Sequence, residues 1–374
     1  MKTDATLQTL AAEVAERAGR KRDVLVPTSS LIMLNGSELS VPDAQGAPGD
    51  IGGTRTERPI ADIAHRQIGE RLGIPAKFYE SLRTAEREGE PHEEVRKLLD
   101  TNVNTLFRER PERRLVRMLD EREDGSDGLV RAFLSERYRR LDDEEVFESI
   151  VPILLGIPGA EVRSCSMTPT RLYIKVVSAK VQGEVAVDDY VRAGVVVRNS
   201  EVGHGSLQVK PFVERLVCTN GMVVPEALGE YLVTRHVGAK LSADENFRAY
   251  SERTLKLDDE AFMAKVGDVV KAAVDETNFA TIVAQMQRAK ATRPVEQIDE
   301  SVERLVNRFN LSEGEGKSVL QHLAAGGDLS QYGAVNAITR TAEDAASYER
   351  ATELETFGGE LLVLNEREWE AVAA

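Results

Sequence analysis

The feature that most constrains the fold is a run of closely spaced, strand-like segments between residues 161 and 224. These segments are rich in β-branched and apolar residues, and turn residues rather than helical sequence separate them. Strands joined by short turns pair antiparallel, because a parallel pair needs a crossover connection of a dozen or more residues. The run therefore predicts a central antiparallel β-meander. Its predicted strands are Glu161–Met167, Arg171–Ser178, Glu184–Val187, Tyr190–Arg198, Leu207–Val217 and Met222–Val224.

Helical patterns lie on both sides of this run. An amphipathic period predicts a helix over Thr6–Arg22, and the segment Ile60–Leu119 is mainly helical in pattern. Another helix begins at Asp142 or Asp143, and the chain is helical from Ala227 almost to its end. Helices that flank a meander, rather than alternating with strands, indicate an α+β fold.

Shorter segments complete the predicted organisation. Strands are expected at Asp23–Pro27, Leu31–Leu34 and Leu129–Leu134, and the Gly/Pro-rich stretch Asn35–Arg58 is predicted to be a loop that either covers a groove or only connects its neighbours. We divide the chain into an N-terminal part (1–128), a central sheet domain (129–240) and an acidic helical C-terminal region (241–374).

The charge distribution is uneven along the chain. The net charge is −15, yet residues 161–240 hold 10 Lys/Arg against 8 Asp/Glu, whereas residues 241–374 hold 14 against 25. The C-terminal region is therefore a candidate docking or DNA-mimicking surface. No apolar run approaches a membrane span of about 20 residues, the opening residues lack an apolar signal core, and only two cysteines occur. These features predict a cytoplasmic protein without a membrane partner.

Arginine is concentrated in Arg108–Arg140, which has 10 arginines and no lysine among 33 residues. Because guanidinium binds phosphate in a bidentate manner and stacks on bases, this segment and the central strands are where a phosphate backbone is expected to lie. The alternative is a set of solvated faces on which arginines pair with the 8 acidic residues interleaved there.

Two turns interrupt the strands with residues capable of chemistry. In Asn199–Gly205, Glu201 and His204 could form an acid–base pair or bind a metal; alternatively the segment is a hairpin with Asn199, Gly203 and Gly205 at positive φ and with Glu201 and His204 exposed. The other histidines lack ligand spacing, so neither a metal nor a cofactor is predicted. Cys218 is either a nucleophile or a small buried hydrophobe, and Asn220-Gly221 is typical of a tight turn.

Three motifs resemble a known family. They are Arg131-Ala-Phe-Leu-Ser-Glu-Arg-Tyr-Arg-Arg-Leu-Asp142, Ala193-Gly-Val-Val-Val-Arg-Asn-Ser-Glu-Val-Gly203 and Arg215-Leu-Val-Cys-Thr-Asn-Gly221, and the C-terminal Tyr332-Gly-Ala-Val-Asn-Ala-Ile-Thr-Arg340 also fits. They resemble the phage and plasmid proteins grouped as domain of unknown function 932. The resemblance implies a place among replication, recombination and anti-restriction genes. The order of elements, a meander followed by a long helix, is also similar to that of single-strand annealing proteins.

The expected function is single-stranded DNA binding or annealing in phage or plasmid DNA metabolism, by a homo-oligomer without a catalytic centre. Aromatic residues make up only 5% of the chain, which favours contact with the DNA backbone over base stacking. Two alternatives stay open: a protein-interaction or DNA-mimic role for the acidic C-terminal region, and an enzyme centred on Glu201, His204 and Cys218. The residues predicted to contact phosphate are Arg137, Arg139, Arg140, Arg171, Lys175, Arg192, Arg198, Lys210 and Arg215.

Overall fold

The fold is α+β, as the sequence predicts, with helices on both sides of antiparallel sheets. The structure is a computed structural model. The residues that the structure describes are 6–43, 54–87, 89–122, 125, 128–138, 140–217, 220–225, 233–235 and 252–374.

The N-terminal part builds three small antiparallel sheets, with strand orders β1-β7-β8, β2-β3-β4 and β5-β6. Helices α2 and α4 lie against them and share one apolar core with them. In chain order the elements are α1 (Leu7–Arg20), β1 (Lys21–Pro27), β2 (Ile32–Leu34), β3 (Glu38–Pro42), β4 (Arg55–Pro59), α2 (Asp62–Leu72), α3 (Ala76–Arg83), β5 (Glu86–Arg87), β6 (Glu90–Pro91), α4 (Glu93–Glu109), β7 (Arg113–Leu119) and β8 (Leu129–Ser135).

Two predictions for this part are wrong. The stretch expected to be a loop over Asn35–Arg58 contains β3 and β4, which pair with each other, while residues 44–53 between them lie outside the described residues. The helical pattern expected up to Leu119 ends earlier, because β7 occupies Arg113–Leu119 and pairs with both β1 and β8. Since β8 pairs with β7, the boundary predicted after residue 128 falls between two paired strands.

The central meander has the strand order β13-β12-β11-β10-β9, with β14 paired to β12. This confirms the predicted antiparallel connectivity. The two strands predicted over Arg171–Ser178 and Glu184–Val187 are one long strand, β10, whose register shifts after Val177. The elements are α5 (Asp143–Leu155), β9 (Ala160–Met167), β10 (Leu172–Ala186), β11 (Asp189–Asn199), β12 (Leu207–Arg215), β13 (Gly221–Val223) and β14 (Val233–Arg235).

From Glu252 onward the chain is helical, as predicted. The helix expected from Ala227 is wrong at Val233–Arg235, because these residues form β14 and pair with β12. Three of the C-terminal helices begin at serine caps whose hydroxyl groups accept a backbone N–H: Ser312, Ser330 and Ser347. The helices are α6 (Glu252–Ala273), α7 (Glu276–Lys290), α8 (Ile298–Phe309), α9 (Glu313–Gly326), α10 (Gln331–Thr341), α11 (Tyr348–Leu362) and α12 (Glu366–Ala373).

The two faces of the central sheet differ in chemistry. Ile174, Val176 and Val195 belong to one apolar core that also includes residues of α1, α5 and α6. On the other face, Lys175 and Ser164 bond to Glu355 and Tyr348 of α11, and the same face carries a small apolar group of Val177, Val196 and Phe212. The sheet is thus covered on both faces, and a binding surface must lie at its ends or edges.

Candidate nucleic-acid interface

The turn between β11 and β12, residues 199–205, is held by side chains from several other elements. Tyr138 Oη donates to the carbonyl of Ser200 at 3.2 Å, and Gln67 Nε2 donates to that of Val202 at 2.8 Å. Arg171 donates through Nη2 at 2.6 Å and Nε at 3.1 Å to the carbonyl of His204. Backbone carbonyls fixed by distant side chains give this turn one defined shape.

Glu201 lies at the centre of the contacts beneath this turn. Its Oε1 accepts from Arg131 Nη1 at 2.5 Å, its Oε2 accepts from the backbone N–H of Asp143 at 3.2 Å, and its carbonyl accepts from Arg117 Nη1 at 2.7 Å. Lys21 Nζ lies 3.7 Å from Oε2. The predicted exposure of Glu201 is therefore wrong: the residue is only 1% exposed, because four positive or N–H donors converge on it.

Further ion pairs extend this network, which we call the buried charge cluster; it consists of Arg17, Lys21, Asp23, Arg117, Arg131, Asp142, Asp143 and Glu201. Arg117 donates to Asp142 Oδ1 at 2.6 Å and to Asp23 Oδ1 at 3.0 Å. Lys21 Nζ donates to Asp142 Oδ2 at 2.7 Å. These pairs lower the pKa of Asp142 against the opposing effect of burial, and Arg131 and Lys21 do the same for Glu201.

The solvent-facing part of the turn is Gly203–Gly205. Both glycines have positive φ, 76° and 137°, as predicted, whereas Asn199 is the last residue of β11 and does not. A Cβ at residue 203 would lie 2.7 Å from Leu134, 3.2 Å from Gln67 and 3.8 Å from Tyr138. Only glycine therefore allows the turn to pack this closely on α2 and on the end of β8.

Exposed arginines lie on the segments that contact this turn. Arg66 and Arg137 are the chain neighbours of Gln67 and Tyr138, whose side chains donate to the turn, and both are exposed. Neither is paired with an acidic side chain of the described residues. Arg140 is 53% exposed and lies 3.4 Å from Asp23, and Arg113 is 58% exposed and lies 4.0 Å from Glu136. We call Arg66, Arg113, Arg137, Arg140 and Arg171 the arginine surface.

His204 is half-buried beside this surface. Burial lowers its pKa, and the positive charges of Arg171 and Arg66 lower it further. The imidazole is therefore neutral at neutral pH, because the nearby guanidinium groups of Arg171 and Arg66 disfavour its protonation. Glu349 and Glu353 oppose their effect from α11.

Two residues of the central strands that were predicted to contact phosphate, Lys175 and Arg198, do not lie on an open surface. Lys175 and Arg198 do share one sheet face, because Arg198 pairs with Tyr173 across β10 and β11. That face is covered by α11: Lys175 is fully buried and donates to Glu355 Oε2 at 2.5 Å, and Arg198 donates to Thr356 at 3.1 Å. Neither residue is open to a phosphate group, so their predicted role as surface contacts is wrong.

The other residues predicted to contact phosphate fall into two groups, those bonded to carboxylates or half-buried and those on the arginine surface. Arg192 is held by Glu214 and Glu161, and Arg215 forms two bonds to Asp189 at 2.7 and 2.8 Å. Lys210 is half-buried on β12. Only Arg137, Arg140 and the half-buried Arg171 lie on the arginine surface, and Arg139 lies outside the described residues.

The second predicted turn has a structural role. Asn220 is buried and donates to Thr339 on α10 at 2.5 Å, and Gly221 begins β13 rather than a turn. A Cβ at residue 221 would lie 2.0 Å from the ring of Phe212, which explains the glycine. Cys218 lies outside the described residues.

Sequence reasoning missed Arg66, Arg117 and Arg131 as parts of this region. Arg66 lies in an ordinary amphipathic helix, and Arg131 meets Glu201 from 70 residues away along the chain. The one available signal was that Arg131 and Glu201 both lie within the motifs that carry the family resemblance.

The chain belongs to the family described as domain of unknown function (DUF932), whose model matches residues 132–356. No curated protein and no solved structure matches it. In the part of the chain that the structure describes, no helix is both long and apolar enough to cross a membrane. Within the same residues, no three His, Cys, Asp or Glu side chains are grouped so as to hold a metal ion.

Proposed function

We propose that this protein binds single-stranded DNA through the arginine surface around the turn at residues 199–205. The observation that carries the proposal is the exposure of Arg66 and Arg137 next to two residues that bond to the turn, Gln67 and Tyr138, without acidic partners among the described residues. Elsewhere on the sheet, Arg192 and Arg215 are held by carboxylates, and Lys175 and Arg198 bond to α11. Exposed guanidinium groups beside a rigid turn are suited to phosphate oxygens.

The proposed binding mode is contact with the DNA backbone. Tyr138 is half-buried, and its hydroxyl group donates to the turn, so its ring has little face left for a base. Phosphate contacts without base readout give affinity that is independent of sequence and falls steeply with salt.

We place this activity in phage or plasmid DNA metabolism, in recombination by strand annealing, within the cytoplasm and in a homo-oligomer. The family resemblance supports the context, and the array of subunits that annealing needs along one strand supports the oligomer. Sedimentation velocity with and without an oligonucleotide tests the oligomer; a monomer in both conditions contradicts this part of the proposal.

The test of DNA binding is fluorescence anisotropy of a labelled single-stranded oligonucleotide at about 50 mM and about 200 mM salt. In the test variant Arg66, Arg137 and Arg140 are changed to Gln. We expect its affinity to fall at least tenfold, and the slope of log K against log salt to fall by about 2, since each lost contact removes about 0.7 from the slope.

The matched control changes Arg253, Arg293 and Arg367 to Gln. These exposed residues lie on α6, on the α7–α8 connection and on α12, and the net charge changes by the same amount as in the test variant. We expect this control to bind as the natural chain does. No binding at low salt, or equal losses in both triple variants, contradicts the proposal.

A second candidate function rests on the exposed carboxylates of the C-terminal helices. Exposed acidic residues include Glu296, Asp299, Glu300, Glu303, Glu313, Glu353, Glu360, Glu366, Glu368 and Glu370. Such a surface is complementary to a basic protein partner. Its test is competition: the protein should displace labelled DNA from a basic DNA-binding protein, and changing Glu366, Glu368 and Glu370 to Gln should weaken that displacement.

The enzyme alternative has less support. Glu201 is buried and fully engaged by its partners, so it is closed to a substrate. His204 is half-buried beside the arginine surface, and no acidic or cysteine side chain is grouped with it among the described residues to form a metal site.

A further inference from the structure

We propose that Glu201, paired with Arg131, is a positioning residue that holds the turn at residues 199–205 and the arginine-bearing segment 136–140 together as one surface. This inference rests on the proposed DNA binding, whose surface it explains. Glu201 itself is buried and is closed to DNA.

Several hydrogen bonds join the two segments, and those of Glu201 are the ones that a single substitution at a buried carboxylate removes. Asp142 and Asp143 follow the arginine-bearing segment closely along the chain, and the backbone N–H of Asp143 donates to Glu201 Oε2 at 3.2 Å. Arg117 bridges the same two segments, since it donates to the carbonyl of Glu201 at 2.7 Å and to Asp142 Oδ1 at 2.6 Å. The carboxylate of Glu201 joins Arg131 to the N–H of Asp143, and it acts beside the bonds of Tyr138 to Ser200 and of Asn199 to Asp143.

Burying the charges of this cluster costs desolvation free energy. Arg131 Nη2 and Asp143 Oδ2 have no hydrogen-bond partner among the described residues, although Arg131 is only 4% and Asp143 only 3% exposed. Buried ion pairs are often no more stabilising than apolar residues of the same volume, because desolvation offsets the attraction. We therefore assign the cluster a geometric role, in which directional bonds set the relative positions of two segments.

The chain offers a matched control in the Lys175–Glu355 pair. Glu355, like Glu201, is 1% exposed, and its carboxylate also accepts from a cation at 2.5 Å. This second pair joins β10 to α11 and makes no contact with the turn. Replacing either glutamate by glutamine removes a buried negative charge and keeps the side-chain shape.

The experiment compares Glu201→Gln with Glu355→Gln. In Glu201→Gln an amide N–H group faces the N–H of Asp143 or the guanidinium of Arg131, so one of these bonds is lost. We expect single-stranded DNA affinity to fall at least tenfold, with a smaller salt slope. Glu355→Gln should lose comparable stability to urea and keep both the affinity and the slope. Equal affinity in the two variants overturns the proposal.

Hydrogen exchange without DNA separates this inference from the proposed function. We expect Glu201→Gln to accelerate amide exchange in residues 200–205 and 136–141 at least tenfold, and Glu355→Gln to leave those amides unchanged. If the natural chain binds no DNA, the proposed function fails, while faster exchange still assigns Glu201 its positioning role. Unchanged exchange in Glu201→Gln overturns that role even if DNA binds.

Discussion

Asp143 is a carboxyl group in surroundings that disfavour its charge. Burial, and then repulsion from Glu201, raise its pKa to about 7, although Asn199 on β11 donates to its Oδ1 at 2.7 Å. The charged groups that face it are Arg17 on α1, Arg131 on β8 and Glu201 on the turn. Near neutral pH this side chain is therefore about half protonated, in the middle of the buried charge cluster.

A change of Asp143 to Asn should alter how stability depends on pH. The folded protein retains a proton on Asp143 from about pH 4 to about pH 7, where the unfolded chain has lost it, so this group makes stability fall as pH rises through that window. The asparagine variant lacks this contribution. Between about pH 5 and about pH 7 the natural chain should lose up to about 3 kcal/mol relative to the variant, since each pH unit contributes up to about 1.4 kcal/mol.

Urea unfolding at several pH values measures this difference. His65, whose pKa burial lowers to about 4, and His204 act in the opposite direction, because the unfolded chain binds more protons than the folded one at these imidazoles. They are present in both proteins, so the comparison cancels them. Identical pH profiles for the two proteins would show that Asp143 is charged throughout the window.

The fate of Glu201 shows what a sequence can reveal at this scale. A glutamate in a glycine-bearing turn is usually exposed, and nothing near it in the sequence indicates otherwise. Its partners Arg131 and Arg117 lie 70 and 84 residues away, so only the folded chain brings them together. The positive φ of Gly203 and Gly205 was predictable, because it depends on local chemistry alone.

At the scale of elements, α11 is the helix that closes the polar face of the central sheet. Tyr348 bonds to Ser164 at 2.6 Å, and Glu355 accepts from Lys175. Near its C-terminal end Gly359 lies against β13, where a Cβ would be 2.1 Å from the carbonyl oxygen of Val223. The absence of a side chain at this residue lets the helix approach the backbone of the strand.

We expect Gly359→Ala to destabilise the protein by about 1–3 kcal/mol or more, because the added methyl group overpacks a backbone contact. Gly267→Ala is the matched control: Gly267 also lies within a helix, α6, but has nothing within 4 Å of its Cβ position. That change should be neutral or stabilise by up to about 1 kcal/mol. Thermal or urea unfolding measures both, and equal effects would contradict the predicted contact with β13.

Elements with one clear hydrophobic period were predictable from the sequence. Strands whose apolar pattern is interrupted, or that are very short, were not. The amphipathic pattern of α1 and the turn-separated strands of the meander gave the correct type and order. Strand β7 was missed because Arg114 and Arg117 interrupt its apolar residues, yet both arginines are buried there. Strands β3 and β4 were missed because the glycines and prolines between them concealed two short strands.

At the scale of the whole molecule, two apolar cores meet across the buried charge cluster. One core unites α1, the central sheet and the C-terminal helices, and the other lies within the N-terminal sheets and α2–α4. A small apolar group that includes Ile63, Leu134 and Val202 also lies at this junction. The chain passes from the first core to the second between α1 and β1. The buried charge cluster therefore lies between two units that each have their own core.

Acid should therefore uncouple the two units. Glu201 and Asp142 have lowered pKa values in the folded protein, so the stability they supply is present above their ordinary values and is lost as pH falls through the lowered ones. Once these carboxyl groups are protonated, the buried guanidinium of Arg131 has lost the charge of Glu201, and that of Arg117 has lost the charge of Asp142.

Two probes test this expectation. Trp369, the one tryptophan of the chain, is buried on α12 and donates to the carbonyl of Arg293 at 2.9 Å, so its fluorescence reports on the C-terminal helices. Far-ultraviolet circular dichroism reports on both units. At about pH 7 we expect the two thermal transitions to coincide, as in two-state unfolding. At about pH 2.5 part of the circular dichroism should be lost before the Trp369 transition, because the N-terminal unit has lost the charges that couple it to the sheet; coincident transitions at both pH values would show that apolar contacts alone join the two units.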